Sequence, residues 1–355
     1  MTINQTIAID AMGGDFGPAV TIPAAAQALK EMPGLRFLFF GDENKIRPLL
    51  ESYPALKLAA SVSHTDRVIS NDEKPVSALR SGRNSSMRLA IDAVKDGLAG
   101  GVVSAGNTGA LMATAKMVLK CLPGIHRPAI ASVFPTQRGE TAMLDLGANI
   151  ICDAEILVQF AVLGAVYVRT VKQVASPSVA LLNVGSEDMK GHDQVRAASA
   201  ILSHVEFPGR FTGFCEGNDI PKGSVDVVVT DGFTGNVALK VAEGVADLTS
   251  GFMKEAFKSS LLARLGALLA YSALKKVKRR TDHRTYNGGM FLGLNGICVK
   301  SHGGMDVYGF SRAILVAGNL VKQGYNDRVA HEINQLMNQE SFVSSLAAYE
   351  QGSVS

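Results

Sequence analysis

Six times along this chain, a short β-branched or apolar run ends in a glycine-containing loop and is followed by a helical pattern. That recurrence restricts the fold more than any other feature. Ile7–Asp10 leads into Ala11-Met12-Gly13-Gly14-Asp15, Leu35–Phe40 into Gly41-Asp42, and Gly101–Val103 into Ser104-Ala105-Gly106-Asn107-Thr108-Gly109. Ala142–Asp145 leads into Gly147-Ala148-Asn149, Val179–Leu182 into Asn183-Val184-Gly185, and Val225–Thr230 into Asp231-Gly232-Phe233-Thr234-Gly235-Asn236. Strands alternating with helices specify an α/β fold, a mostly parallel sheet sandwiched by helices. The near-continuous apolar run at Val225–Thr230 predicts a central strand buried on both faces. In such sheets ligands sit beyond the C-terminal strand ends, where these Gly/Asn/Asp/Ser loops fall.

The pattern predicts a single catalytic domain over residues 1–340, with a tail over 341–355 expected to fray. One segment departs from it, and residues 252–296 are expected to form an inserted amphipathic helical and glycine-rich tip. At 100° per residue, Leu261, Leu262, Leu265, Leu268 and Leu269 share one helix face. The run continues directly into Lys275, Lys276, Lys278, Arg279 and Arg280. A leucine face beside a basic cluster suits an anionic membrane surface, and it equally suits a core helix with a solvated basic end. The apolar run Ile156–Val168 is too short to span a bilayer and reads as a buried or interface helix, with Asp153 as its cap.

Several functional classes lose support. Aromatic residues make up 6% of the chain and the net charge is +3, so neither base stacking nor a whole-molecule basic field points to nucleic acid. No P-loop, dinucleotide fingerprint, nucleophile elbow or zinc-protease motif occurs. Cys121, Cys152, Cys215 and Cys298 lie far apart without metal-site spacing and read as reduced cytosolic thiols. The expectation is a cytoplasmic protein with neither metal nor cofactor, since no basic stretch precedes the first strand.

What remains is a set of loops suited to anions. In Ser104–Gly109, small residues would let backbone N–H groups at Gly106, Asn107, Thr108 and Gly109 approach an oxyanion at a helix start. Lys190, shortly after a strand end, could give phosphate a compact charge, or it could be an exposed helix-end lysine. Asp231 closes a hydrophobic strand, where a carboxylate needs a partner, and Lys190 is the candidate. Asn236 could donate to an acyl oxygen or could cap a helix.

Taken together these loops resemble the PlsX family, the acyl-carrier-protein:phosphate acyltransferases of bacterial phospholipid synthesis. The matching stretches are Ile7–Asp15, Ser104–Ala110, Leu144–Asn149, Leu181–Gly185, Thr230–Asn236, Gly293–Gly296 and Ser301–Gly303, in family order over roughly residues 7–335. The resemblance implies a fold related to phosphotransacetylases and isocitrate-dehydrogenase-like proteins, usually homodimeric, with peripheral membrane association through a helical tip. It implies acyl transfer from the carrier protein to phosphate. The acyl phosphate would then pass to a downstream glycerol-3-phosphate acyltransferase. It also implies Lys190 and Asn236 as the catalytic pair.

On that basis phosphate is its own nucleophile. Lys190 and the Gly106–Thr108 amides would bind it, Asp231 would orient Lys190, and Asn236 would donate to the carbonyl oxygen. Met290, Phe291, Leu292 and Leu294 would wall an acyl channel. Lys275–Arg280, or Arg80, Arg83 and Arg88, would receive an acidic carrier. Two alternatives stand beside this reading: a phosphotransacetylase using acyl-coenzyme A, and a non-catalytic membrane scaffold for lipid-synthesis enzymes.

Overall fold

A computed structural model describes residues 5–352, apart from the side chains at 278, 279, 281, 283 and 350–352. The strands are β1 (Thr6–Asp10), β2 (Arg36–Gly41), β3 (Ala60–His64), β4 (Gly101–Ser104), β5 (Ala129–Thr136), β6 (Gly139–Leu144), β7 (Ser178–Leu182), β8 (Arg210–Cys215), β9 (Val227–Val229), β10 (Gly289–Leu292) and β11 (Ile297–Lys300). The helices are α1 (Pro18–Glu31), α2 (Glu43–Glu51), α3 (Pro54–Leu58), α4 (Pro75–Ser81), α5 (Ser86–Lys95), α6 (Thr108–Leu119), α7 (Ala154–Lys172), α8 (Asp193–Leu202), α9 (Gly232–Lys258), α10 (Leu261–Leu269), α11 (Tyr271–Thr281), α12 (Val307–Lys322), α13 (Tyr325–Met337) and α14 (Glu340–Gly352).

All the strands form one sheet in the order β3-β2-β1-β4-β11-β10-β5-β6-β9-β7-β8. Pairing is parallel except at β11–β10, β10–β5 and β5–β6. Those three antiparallel steps matter for function. They reverse the sheet's polarity, so β1, β4 and β11 run one way and β6, β9 and β7 run the other. The turns leaving these two groups therefore open at opposite ends of the strands.

The helix α7 is capped by Asp153, whose carboxylate accepts from the Ile156 N–H at 2.9 Å. Val158, Phe160, Ala161, Val162, Leu163 and Val168 on it are fully buried. Each large apolar side chain so buried contributes about 1.5–3 kcal/mol, so packing against the sheet accounts for this helix's apolar character. The strand β9 is buried throughout between β6 and β7, as its apolar run predicts.

Two boundaries differ from the sequence reading. The chain from Glu340 to Gly352 is helical rather than frayed, because Phe342 buries its ring in the core. The protruding helical part spans α9 to α11, whereas Gly289–Leu292 is a strand inside the sheet and not part of a tip. On α10 the leucines are turned outward, Leu261 being 81% and Leu268 70% exposed, so this helix is not a core element of the chain.

Candidate active site

The first cluster forms where β1, β4 and β11 end. The Asp10 carboxylate is fully buried and accepts from Ser86 Oγ and from Ser104 Oγ, each at 2.6 Å. Burial pushes its pKa up, opposed by the hydroxyls of Ser104 and Ser86 and by the Met12 and Gly13 amides. Ser104 Oγ in turn accepts the Gly106 N–H at 3.0 Å. At Gly13 a side chain has no room, since a Cβ would lie 2.6 Å from Asp10 Oδ2 and 2.8 Å from Gly106 N. The Gly13-Gly14 and Ser104–Gly106 turns are thereby packed backbone to backbone.

Lys300 closes this cluster from β11. Its ammonium donates to Ala105 O at 3.3 Å and to Ser301 O. Burial pulls its pKa down to about 8, against the opposing pull of Asp10, Asp15 and Cys298. Beyond it, His302 Nδ1 accepts the Gly304 N–H at 3.2 Å, which fixes the neutral tautomer with Nε2 as donor. The His302 pKa is lowered by partial burial of the ring and then by Lys300 and Lys240, with Glu243 and Asp15 opposing.

The second cluster lies where β6 and β9 end. Asp145 Oδ1 accepts from the amides of Ile130, Gly147 and Ala148. Its Oδ2 accepts from the Asn149 amide and side chain at 2.7 and 2.8 Å. Such a carboxylate is a structural anchor for the Gly147–Asn149 turn. The helix α9 starts on that anchor. Gly232 N donates to Asn149 O at 2.7 Å, and a Cβ at Gly235 would overlap the Asp145 carbonyl oxygen. Asn236 follows, exposed, beside Gly147.

The helix α9 starts at the second cluster and carries charged side chains within electrostatic reach of the first. Asn236, Lys240 and Glu243 recur at helical spacing on one face of it, and Lys240 and Glu243 act electrostatically on His302. A helix that begins at one end of the strands thus runs back toward the other, presenting the Asn236 face to the Lys300–Gly304 loop.

Several sequence-based assignments change. Asp231 does not pair with Lys190: it caps α9, accepting the Thr234 N–H at 2.9 Å and the Thr234 hydroxyl at 2.7 Å. Lys190 is exposed on the Asn183–Gly191 loop, with its stem over Gly185. Among the described residues no hydrogen bond or ion pair joins Lys190 or Asn236 to the Ser104–Gly109 turn, and the polarity reversal places the β7 and β4 loops at opposite strand ends.

Within that turn, the Ser104 hydroxyl and Gly106 amide are committed internally. Asn107 caps α6 by accepting the Ala110 N–H, and its Nδ2 donates to Asn71 O and Glu73 O. Gly109 leaves room for Pro75, 2.9 Å from where its Cβ would stand. Thr108 is the exposed member. Met290, Phe291, Leu292 and Leu294 are at most 3% exposed and fill the core on both faces of β10, so they wall no channel.

Leu265, Lys275, Lys276 and Arg280 lie on the protruding helices, and the side chains of Lys278 and Arg279 fall outside the described residues. Arg80 and Arg83 are exposed, while Arg88 is paired with Asp92 at 2.9 Å. A recess of about 550 Å³ lies in front of the Asp145 turn, lined by Arg127, Asn149, Ile151, Cys152, Gln194 and Tyr349.

No cysteine is poised as a nucleophile. Burial raises the pKa of all four thiols, Cys152 and Cys215 to about 12.

A family model described as "Fatty acid synthesis protein" matches residues 5–328. A phosphate acyltransferase of Rhodospirillum centenum is 59% identical over 330 residues, 93% of each chain. One from Paramagnetospirillum magneticum is 56% identical over 348 residues, 98% of this chain and 99% of that one. Among solved structures, a phosphotransacetylase from Streptococcus pyogenes superposes with a TM-score of 0.59 at 18% identity, covering 91% of this chain and 95% of its own. A phosphotransacetylase from Staphylococcus aureus gives 0.57 at 17% identity, covering 90% and 94%. These two show the fold.

Proposed function

The chain belongs to the fatty acid synthesis protein (PlsX) family and is an acyltransferase, and from that premise we propose that it moves a long-chain acyl group from acyl-carrier protein to inorganic phosphate. The observation that carries this reading is the state of the Ser104 hydroxyl and of the cysteine thiols, none of which is free to attack. Ser104 Oγ is tied to Asp10, and the thiols are held protonated. The attacking atom then comes with the substrate. A phosphate oxygen forms a bond to the thioester carbonyl carbon, the C–S bond breaks, and the sulfur leaves with its electron pair. The proton lost by hydrogen phosphate ends on the carrier thiol, giving acyl phosphate and free carrier. A thiol of ordinary pKa near 8.5 leaves without a strong acid.

In this reading phosphate sits at the turns ending β1, β4 and β11, with Thr108 at its exposed edge. Asn236, on the α9 face that carries Lys240 and Glu243, would donate to the carbonyl oxygen; losing one such donor typically costs ~10²–10³ in rate. The chain would work as a homodimer closed over the exposed stripe Val237, Val241, Val245, Leu248 and Phe252 of α9. Lys190 would then act from its exposed loop across the seam between the copies. The leucines of α10 beside Lys275, Lys276 and Arg280 would rest on the anionic cytoplasmic membrane surface, where a glycerol-3-phosphate acyltransferase could collect the acyl phosphate.

The test is thiol release from long-chain acyl-carrier protein and from acyl-coenzyme A, each with and without phosphate. Phosphate-dependent release that favours the carrier is expected. Preference for coenzyme A would make the protein a phosphotransacetylase. No turnover of either would leave the scaffold reading, and release independent of phosphate would end the proposal.

A further inference from the structure

We propose that Lys300 is the cation that holds phosphate at the junction of β1, β4 and β11. The inference rests on the phosphate-acyltransfer reading above and names a residue which that reading does not.

Lys300 is the last residue of β11 and pairs in register with Ser104, the last residue of β4. The turns after both strands and after β1 meet around its side chain. Two of its three ammonium hydrogens have acceptors, the carbonyl oxygens of Ala105 and Ser301. The third has no protein acceptor among the described residues. Two carboxylates lie within electrostatic reach, Asp10 and Asp15, yet neither forms an ion pair with it. Asp10 spends its oxygens on Ser86 and Ser104, and Asp15 Oδ1 accepts from Asn71 Nδ2 at 3.2 Å.

A half-buried ammonium held by two carbonyls and no carboxylate is an expensive arrangement for a protein interior. It has a reason if an anion completes the set. Backbone carbonyls orient an ammonium without cancelling its charge, so the charge stays available to a ligand. A lysine serving only as counter-charge to Asp10 would be expected to touch that carboxylate, and it does not.

His302 supports the same assignment. With Nδ1 taken by the Gly304 amide, its Nε2–H is a neutral donor two residues from Lys300, on the exposed side of the loop. A cation and a donor so placed suit a phosphate approaching from the α9 side. Lys190, by contrast, lies beyond the polarity reversal and joins no contact at this junction.

The experiment uses the full-length protein as wild type, Lys300→Met and Lys300→Arg. Initial rates of thiol release are measured over a range of phosphate at saturating acyl-carrier protein, then over carrier at saturating phosphate. Melting temperature is followed with and without phosphate. Lys300→Met should raise the phosphate KM at least tenfold with little change in the carrier KM, and should abolish the phosphate-dependent rise in melting temperature. Lys300→Arg should recover part of both. An unchanged phosphate KM in Lys300→Met would overturn the assignment. So would activity lost in both variants in step with melting temperature, which marks a purely structural lysine. If the wild type itself releases thiol without phosphate dependence, the underlying function fails and this inference goes with it. A phosphate-dependent wild type with an indifferent Lys300→Met removes the inference alone.

Discussion

Lys300 and Ser104 stand side by side as the last residues of two paired parallel strands, and the lysine ammonium reaches past the serine to the Ala105 carbonyl oxygen at 3.3 Å. The two residues are far apart in sequence, and the pairing of β4 with β11 makes them neighbours. It joins an amino-terminal turn to a carboxyl-terminal one at the place where both strands end.

This junction predicts a pH dependence. The groups facing Lys300 are Asp10, Asp15, Cys298 and, on the next loop, His302, itself facing Lys240 and Glu243 of α9. With its pKa held at about 8, Lys300 loses its charge as pH rises through that value, while phosphate stays a dianion. The phosphate KM should therefore climb between pH 8 and 9 in the wild type and stay flatter in Lys300→Arg. The stability sign is opposite. A lysine whose folded pKa lies below its ordinary value of 10.5 penalises folding at low pH, and that penalty is relieved between about 8 and 10.5. Urea unfolding across that interval should show wild type gaining on Lys300→Met.

Asp231 is a helix cap and not the orienter of Lys190. Asp231→Ala should cost about 1 kcal/mol of unfolding free energy, and Lys190→Ala close to none. A double-mutant cycle between them should give a coupling near zero. A coupling above about 0.5 kcal/mol would restore the pair.

Gly235→Ala should be far more damaging than an ordinary helix substitution, because the new methyl group meets the Asp145 carbonyl oxygen. Overpacking of this kind costs roughly 1–3 kcal/mol, and here the upper end is expected. Chemical denaturation reads it directly.

Assembly and membrane contact should separate by mutation. Val241→Glu, in the α9 stripe, should shift the sedimenting species toward monomer. Leu265→Glu, on α10, should leave sedimentation unchanged while abolishing co-flotation with vesicles of anionic phospholipid. Loss of both properties in either variant would contradict the division of labour between the helices.

Much of the sheet can be read from the sequence, because each apolar run followed by glycine is a local signal. The polarity reversal cannot. It comes from the antiparallel trio β10, β5 and β6, whose partners are set by long-range packing, so turns that look equivalent in sequence open at opposite ends. Met290–Leu292 illustrates a second limit: a short apolar run bounded by glycines looks the same whether it is a core strand or a channel wall. Asp231 illustrates a third. An aspartate just before a helix start is as well placed to accept that helix's free amides as to pair with a distant lysine, and the cap is what forms. Lys300 adjoins the Ser301–Gly303 motif, but a lysine at a strand end has no periodicity to mark it, and the Ala105 carbonyl it reaches lies 195 residues away in the chain.

The helix α9 has 27 residues, about 40 Å, yet buries only Gly232 and Gly235 against its own chain. In proteins most of a helix's stability comes from packing one face against a neighbour and not from intrinsic propensity. Much of this helix should therefore be conditional on a companion surface, so that dilution below the dissociation constant of the assembly melts it while the sheet persists. Far-ultraviolet circular dichroism should then lose helical signal at nanomolar protein without the loss of β-structure that global unfolding brings.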